Sequence, residues 1–103
     1  MKIPSEIKEK ADKIIADFNK STFNDTDKYK ARYKGGFLYL DRKEGMMESP
    51  IARLKYTCEF LEWEFAIFKY STDKYDADEW LFPGSEELDG TIVGALKAAK
   101  KAY

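Results

Sequence analysis

The sequence predicts an α+β domain with an N-terminal helix, a four- to five-stranded antiparallel meander sheet and a C-terminal helix, both helices packing on one sheet face. Three observations predict it: helical periodicity at each end, period-two alternation between them, and a Gly-Gly pair separating two alternating segments. The chain of 103 residues has the size of one domain, so we expect residues 1–103 to fold as a single unit.

The N-terminal segment carries apolar residues at the spacing of one helical face. They are Ile7, Ala11, Ile14, Ile15 and Phe18. Pro4 and Ser5 suit the start of this helix, because proline is tolerated in a first turn and a serine hydroxyl can accept bonds from free amides. The polar stretch 21–27 is rich in turn-forming residues, which predicts a loop into the sheet.

Residues 28–34 alternate strictly between two faces, which predicts a half-buried strand. The Gly35-Gly36 pair suits a two-residue hairpin turn, and such a turn fixes the register of the strand that follows. On the predicted core face Tyr33 opposes Leu38 and Ala31 opposes Leu40. On the other face the predicted pairs are Lys34 with Phe37, Arg32 with Tyr39, and Lys30 with Asp41.

We predict a loop at 43–50 and a second pair of strands at 51–58 and 63–70. The sequence leaves their register open. Aligning Leu54 with Ile67 and Tyr56 with Phe65 keeps the two faces distinct, whereas a slip of one residue would mix them. The core face of this pair then comprises Ala52, Leu54, Tyr56, Trp63, Phe65 and Ile67. Its outer face comprises Arg53, Lys55, Glu64, Ala66 and Phe68.

For residues 71–84 we predict a long acidic surface loop. Within it, Trp80-Leu-Phe82 forms an apolar anchor or a short fifth strand before Pro83-Gly84. A final helix follows, with Asp89 as its expected cap. One face of this helix is apolar: Ile92, Val93, Leu96, Ala99 and Tyr103.

Four strings in the chain are distinctive in combination: Phe37-Leu-Tyr-Leu-Asp-Arg42, Pro50-Ile-Ala-Arg-Leu-Lys-Tyr56, Trp63-Glu-Phe-Ala-Ile-Phe-Lys-Tyr-Ser71 and Phe82-Pro-Gly-Ser-Glu-Glu-Leu-Asp-Gly-Thr91. Together they resemble a family of small uncharacterised bacterial proteins, a domain of unknown function, over about residues 28–103. The resemblance implies a bacterial source and transfers no catalytic residue.

The composition excludes several kinds of chemistry. The chain has no histidine, so Ser/His/Asp and Cys/His catalytic sets and histidine-containing zinc sites are absent. Cys58 is the only cysteine, so no intramolecular disulfide can form, and we interpret it as a small apolar filler. The acidic residues at 73–79 lack the glycine and distal glutamate of a calcium loop. We expect no cofactor, no metal and no catalytic residue, although carboxylate catalysis leaves no mark in one sequence.

No apolar run reaches the length of a membrane span, so we expect a cytoplasmic protein that does not associate with membranes. Its net charge is −1, but the sign is unevenly distributed. Residues 28–58 carry eight Lys/Arg and three Asp/Glu, whereas residues 59–89 carry two and ten. This asymmetry predicts either a binding face or basic and acidic strands lying side by side.

The outer sheet face is the candidate binding site. Its candidate residues are Lys30, Arg32, Lys34, Phe37, Tyr39, Arg53, Lys55 and Phe68. Cations and exposed rings together can bind single-stranded nucleic acid. The same residues can instead form ordinary cross-strand pairs, with Lys30 on Asp41, Arg32 over Tyr39 and Lys55 beside Glu64.

A third use of this face is a protein contact, in which a protein partner or a second copy of the chain covers Phe37, Tyr39 and Phe68. We therefore interpret the chain as a non-enzymatic binding or interaction module. Single-stranded nucleic-acid binding is the alternative.

Overall fold

The computed structural model describes residues 2–23, 27–78 and 82–102. Its elements are, in chain order, α1 (Ser5–Thr22), β1 (Asp27–Lys34), β2 (Phe37–Glu44), β3 (Met47–Lys55), β4 (Glu64–Lys69), β5 (Lys74–Asp76), a 3-10 turn (Ser85–Glu87) and α2 (Ile92–Ala102). The five strands form one antiparallel sheet in the order β1-β2-β3-β4-β5. The predicted α+β class and meander topology are confirmed.

The two helices and the sheet share one hydrophobic core. Ala11 and Ile15 enter it from α1, and Ala95, Leu96 and Ala99 enter it from α2. The strands contribute Tyr29, Leu38, Leu40, Ala52 and Leu54. These strand residues alternate along the chain, so one face of the sheet, here called the inner face, packs against both helices.

Helix α1 begins at Ser5, as its apolar spacing predicts, but the expected serine cap does not form. The backbone carbonyl of Pro4 instead accepts bonds from the N–H groups of Ile7 and Lys8, both at 3.0 Å. Because proline has a fixed φ and no N–H to satisfy, it can start the helix without a side-chain cap. The predicted loop 21–27 is shorter than expected, since α1 reaches Thr22; residues 24–26 lie outside the described part.

The first hairpin has the predicted register. Tyr33 opposes Leu38 and Ala31 opposes Leu40, while Lys34 opposes Phe37 at the turn. Gly35 has a φ of +58°, which an L side chain adopts only at a cost. Glycine at the first central position is what a type II′ turn requires, and this two-residue turn fixes the register.

The predicted loop at 43–50 is wrong. Strand β2 continues to Glu44, and β3 begins at Met47 after a turn formed by Gly45 and the fully exposed Met46. Gly45 has a φ of +61°. The second turn therefore repeats the first, with a single glycine where the first has two.

A β-bulge bends β3 where it passes β2. Leu40 pairs with Ala52, but Asp41 pairs with Pro50, so Ile51 is the extra residue. Ile51 is buried in the core beside Ala52, since both residues of a bulge point to one side. Pro50 lies beyond the end of the β3–β4 pairing, where its missing N–H leaves no gap in the ladder.

The pairing of β3 with β4 differs from the predicted alignment by two residues. Leu54 opposes Phe65 rather than Ile67, which instead opposes Ala52. A slip of two keeps every side chain on its predicted face, so the inner-face set is unchanged. Strand β3 ends at Lys55, and the N–H of Tyr56 donates to the carbonyl of Gly36 at 2.9 Å.

The fifth strand lies at Lys74–Asp76, not at the predicted position near residues 80–82. Asp73, with a φ of +57°, closes the turn that precedes it. Trp80 and Leu81 lie outside the described part. Phe82 stacks on Phe65, with ring centroids 5.8 Å apart, and so acts as an anchor.

The cap of α2 is Thr91 rather than Asp89. The Thr91 hydroxyl accepts a bond from the N–H of Gly94 at 3.0 Å. Asp89 accepts bonds from the Thr91 N–H and hydroxyl at 3.0 and 2.6 Å, and these bonds lower the pKa of its carboxyl group. Val93, expected on the buried helix face, is 40% exposed, and Tyr103 lies outside the described residues.

A candidate binding face on the outer side of the sheet

The outer face of the sheet comprises the strand residues whose side chains point away from α1 and α2. The strand registers place all eight candidate residues on it. Arg32, Tyr39, Arg53 and Ala66 form one row across four strands, and Lys34, Phe37, Lys55 and Glu64 form the next. Lys30 and Phe68 lie on the opposite side of the first row, and Phe68 is opposite Tyr75 of β5.

Five aromatic rings cross this face in an unbroken series, here called the aromatic ladder. Its members are Phe37, Tyr39, Tyr75, Phe68 and Tyr70, in order of contact. Successive ring centroids are 6.0, 5.4, 5.0 and 5.0 Å apart, and the last three contacts are edge-to-face. Edge-to-face pairs at these distances are favourable because the positive ring edge meets the negative ring face.

Two arginines lie against the ladder. The Arg53 guanidinium is 4.6 Å from the ring centroid of Phe37 and 5.4 Å from that of Tyr75. The Arg32 guanidinium lies 5.0 Å from the ring centroid of Tyr39, as the sequence predicts for a cross-strand pair. Each contact combines cation–π attraction with removal of apolar ring surface from water.

Asp41 fixes the position of Arg32. Its carboxylate accepts bonds from Nε at 2.5 Å and from Nη2 at 3.2 Å. These bonds raise the pKa of Arg32, so the guanidinium stays charged at any ordinary pH. Burial, followed by the Asp41 charge, raises the pKa of Tyr75, so this ring also keeps its hydroxyl proton.

The ladder forms a small packed layer of its own. Ala66 and Phe68 lie on the outer face, yet they are only 3% and 7% exposed. Phe68 packs between Tyr75 and Tyr70 and is not the exposed ring that the sequence predicts. The hydroxyl of Tyr70 donates to the carbonyl of Pro50 at 2.7 Å, which holds this ring over the bulge.

The lysines surround the ladder rather than joining it. Lys30 stands opposite Asp41 in the register, but its ion pair is with Glu48, at 2.7 Å, rather than the predicted one with Asp41. The bulge brings Glu48 within reach, and Asp41 is already bound to Arg32. This contact lowers the pKa of Glu48. Lys55 lies 3.9 Å from Glu64, which is the predicted pair.

The outer face carries a net positive charge. Its described strands hold seven cations. Four of these have no ion pair with a described residue: Lys28, Lys34, Lys43 and Arg53. Asp41, Glu48 and Glu64 are the three carboxylates, which leaves a net charge of +4. The asymmetry along the sequence therefore survives in the folded chain as a basic face.

Two ladder residues, Tyr70 and Tyr75, are absent from the predicted site. Tyr70 ends the predicted strand 63–70, on the same alternating face as Phe68, and Tyr75 lies in the predicted loop 71–84. The signal that could have found Tyr75 is the run Lys74-Tyr-Asp76, in which one aromatic residue stands between two charges after a polar turn.

The rest of the described chain contains weaker candidate sites than the outer face. A cavity of about 410 Å³ between the sheet and α2 is lined mainly by apolar residues such as Leu54, Trp63 and Ala95, and Glu64 is the acidic residue among its described lining. Within the described ranges no three acidic or cysteine side chains lie close enough together to hold a metal ion.

The structure places Cys58 in a turn, with a φ of +69° and an exposed side chain. Its interpretation as an apolar filler is therefore wrong. Neither described helix is long and apolar enough to cross a membrane.

Comparisons with protein-family models, with curated proteins and with solved structures find no significant match to this chain. The resemblance to a bacterial family consequently stays a prediction.

Proposed function

We propose that this chain is a non-enzymatic binding module that recognises a protein partner through the outer face of its sheet. The bacterial source and the cytoplasmic location that the sequence implies are part of this proposal. Cys58 is exposed and, as the only cysteine, forms no intramolecular disulfide, which suits a reducing compartment.

The observation that carries the proposal is the aromatic ladder with its two arginines, surrounded by lysines and glutamates. Tyr, Phe and Arg are enriched at the centres of protein interfaces, whereas Lys and Glu are depleted there and lie at the rim. Arg53 and Tyr39 occupy the middle row of the face, and Lys55, Glu64, Lys30 and Glu48 lie around them. The arrangement matches an interface centre and its rim.

The ladder is also organised before any partner arrives. Edge-to-face ring contacts, the Arg32–Asp41 bonds and the Tyr70 hydroxyl bond hold its members in defined positions. Association costs free energy when loose side chains become ordered, so a pre-organised surface loses less on binding. Rigid rings with few rotatable bonds suit this role.

The test is affinity capture from an extract of the source organism with three immobilised proteins: the wild type, a Phe37→Ser/Tyr39→Ser face variant and a Val93→Ser/Lys97→Ser control. The control changes two exposed residues of α2. We expect at least one protein that the wild type and control retain and the face variant loses, and that binds again when purified. Retention by all three proteins would refute the proposal.

A second copy of the chain is a special case of a protein partner. Sedimentation velocity of the wild type over a wide concentration range distinguishes it from a different protein. If the outer face binds itself, the wild type and the Val93→Ser/Lys97→Ser control dimerise and the Phe37→Ser/Tyr39→Ser variant does not. Neighbouring Lys28, Lys34 and Lys43 disfavour such a dimer at low salt, because they carry like charges.

Single-stranded nucleic acid is the second candidate, and the net charge of +4 favours it. Cations release counterions from phosphates, and rings or guanidinium planes stack on bases. The ring faces of Phe37 and Tyr39 are already covered by Arg53 and Arg32, so bases would have to stack on the guanidinium groups or displace them.

Fluorescence polarisation with labelled single-stranded DNA and RNA tests the nucleic-acid candidate. Binding should weaken steeply with salt and disappear in both Arg32→Glu and Tyr39→Ala variants. An absence of binding at low salt would eliminate nucleic acid and leave the protein partner.

A further inference from the structure

Strand β1 is at one edge of the sheet and pairs only with β2 among the described strands. In an antiparallel pair, alternate residues direct their N–H and C=O groups toward the neighbouring strand or away from it. The two-residue turn makes Lys34 and Phe37 a hydrogen-bonded pair, so Arg32 and Lys30 also direct their backbone groups to β2. Tyr29, Ala31 and Tyr33 then direct theirs outward.

A helix side chain closes the outward position at Tyr29. The N–H of Tyr29 donates to Asn19 Oδ1 at 2.8 Å, and Asn19 Nδ2 donates to the carbonyl of Tyr29 at 2.9 Å. This pair of bonds confirms that the Tyr29 backbone faces away from β2. Among the described residues, none bonds to the outward backbone groups of Ala31 or Tyr33.

The edge is therefore open over a short and defined length. Ala31 and Tyr33 offer two N–H donors and two carbonyl acceptors. Their alternating order complements the backbone groups of an incoming extended strand. Strand addition of this kind provides main-chain hydrogen bonds, and side-chain pockets or charges provide its specificity.

The positive charge beside this edge favours an incoming strand that carries acidic residues. The outer row of β1 is basic and comprises Lys28, Lys30, Arg32 and Lys34. Glu48 neutralises Lys30, and Asp41 neutralises Arg32. Lys28 stands directly opposite Lys43, a like-charge pair that an added anion would relieve. The outward side chains of an added strand would lie beside this row, where carboxylates are favoured.

The same charges disfavour a second copy as the occupant. Pairing β1 with β1 of another copy would place two rows of lysines side by side, and like charges on neighbouring strands are destabilising. On the inner side of the edge, Lys8 and Asp12 both lie near Tyr33 and give no net preference.

We propose that the β1 edge at Ala31 and Tyr33 binds an extended segment of another protein that carries acidic residues at alternate positions. The segment adds a sixth strand to the sheet, and Asn19 ends the addition at Tyr29. This inference concerns the edge rather than the outer face, so it holds even if the face has no partner.

The first probe is an acetylated and amidated peptide, Glu-Thr-Glu-Thr-Glu-Thr-Glu, followed by amide hydrogen exchange of the isotope-labelled protein. In the free protein we expect slow exchange at Tyr29 and fast exchange at Ala31 and Tyr33. With about nine-tenths of the protein bound, exchange at Ala31 and Tyr33 should slow about tenfold, because it then occurs only in the free fraction.

Two N-methylated peptides of identical charge separate strand addition from simple ion pairing. One is methylated at every Thr amide and the other at every Glu amide. In an antiparallel addition the Thr amides face Ala31 and Tyr33, so methylating them should weaken binding by about tenfold or more, whereas methylating the Glu amides should not. The reverse pattern would report parallel addition and also support the proposal.

A charge-reversed protein gives the matched control. Lys28→Glu/Lys34→Glu should weaken peptide binding about tenfold, and Lys13→Glu/Lys97→Glu, with the same change in net charge on the helices, should not. Three results would overturn the proposal: equal binding of both methylated peptides, no slowing at Ala31 and Tyr33, or slow exchange at both in the free protein.

Discussion

The two faces of the sheet are closed by different means. On the inner face two helices cover Leu38, Leu40 and Leu54, none of which is more than 1% exposed. On the outer face Ala66 and Phe68 are buried almost as completely, but no helix lies over them: Phe68 packs against the rings of Tyr70 and Tyr75, and Ala66 stands opposite Arg53. The outer face is thus packed although no helix covers it.

This difference separates stability from recognition. Aliphatic side chains between sheet and helix contribute through burial, and nothing outside the chain can reach them. The ladder contributes less burial but keeps ring edges, hydroxyl groups and guanidinium groups at the surface. If the comparison is correct, substitutions on the inner face should reduce stability most, and substitutions on the outer face should affect binding more than stability.

The largest effect is expected at the centre of the inner face. Leu40→Ala should lower the free energy of unfolding by about 3 kcal/mol, because it removes a fully buried side chain and leaves a cavity. Urea denaturation followed by tryptophan fluorescence measures the change. A loss below about 1 kcal/mol would mean that the helices do not pack tightly on this face.

The next effect is expected beneath the ladder. Phe68→Ala should lower the free energy of unfolding by about 2 kcal/mol, less than a fully enclosed phenylalanine, since Tyr70 and Tyr75 can partly collapse onto the vacated space. The same urea measurement applies. A change within about 0.5 kcal/mol would show that the outer layer is not packed in solution.

Substitution of Tyr29 on the inner face is expected to raise the free energy of unfolding rather than lower it. Its ring is 1% exposed, and its hydroxyl has no hydrogen-bond partner in the described part of the chain. Removing an unpaired buried hydroxyl relieves a desolvation penalty, so Tyr29→Phe should raise the free energy of unfolding by about 1 kcal/mol at neutral pH. A clear loss of stability would show that the hydroxyl is bonded.

The same residue predicts a loss of stability in alkali. Burial raises the pKa of Tyr29 to about 12, and the charge of Arg42 lowers it in part. A pKa that is raised in the folded state favours folding below the unfolded value near 10, and this contribution is lost as the pH rises from 10 through 12. Urea titrations at pH 9 and pH 11 should show this loss, and Tyr29→Phe should reduce it. An unchanged loss in the variant would assign the effect to other groups, such as Tyr33, whose pKa is also raised.

The smallest effect on stability is expected at the surface of the ladder. Arg53→Gln removes the guanidinium from Phe37 and Tyr75 but keeps most of the side-chain stem. We expect a loss of less than about 1 kcal/mol in urea denaturation, the range of exposed cation–π contacts. A loss near that of Leu40→Ala would place Arg53 in the structural core and contradict the division between the two faces.

The sequence predicts the fold best where a short turn constrains it. Gly35-Gly36 determines the β1–β2 register, and every predicted pair of that hairpin is present. The β3–β4 register has no such constraint, because the connecting segment at 56–63 is long and a slip of two leaves the alternation unchanged. The second turn has a weaker signal, because Gly45 is followed by Met46 rather than by a second glycine.

For the candidate binding face, the sequence predicts which residues share one side of the sheet but not their contacts. Alternation along 28–34, 37–42 and 53–55 indicates which residues share the outer face, and this part of the prediction holds. The bulge at Ile51 has no local signal, so the pairing of Lys30 with Glu48 could not be predicted. The contacts of Arg53 with Phe37 and Tyr75 depend on strands brought together from distant parts of the chain.

The most direct test of the binding face compares stability and partner affinity for Tyr39→Ala. The measurement is titration of the captured partner into the wild type and the variant, with urea denaturation of each. We predict at least a tenfold loss of affinity, typical of an aromatic residue at an interface centre, with a change of about 1 kcal/mol or less in unfolding free energy. Unchanged affinity in a folded variant would contradict a role for the outer face in binding.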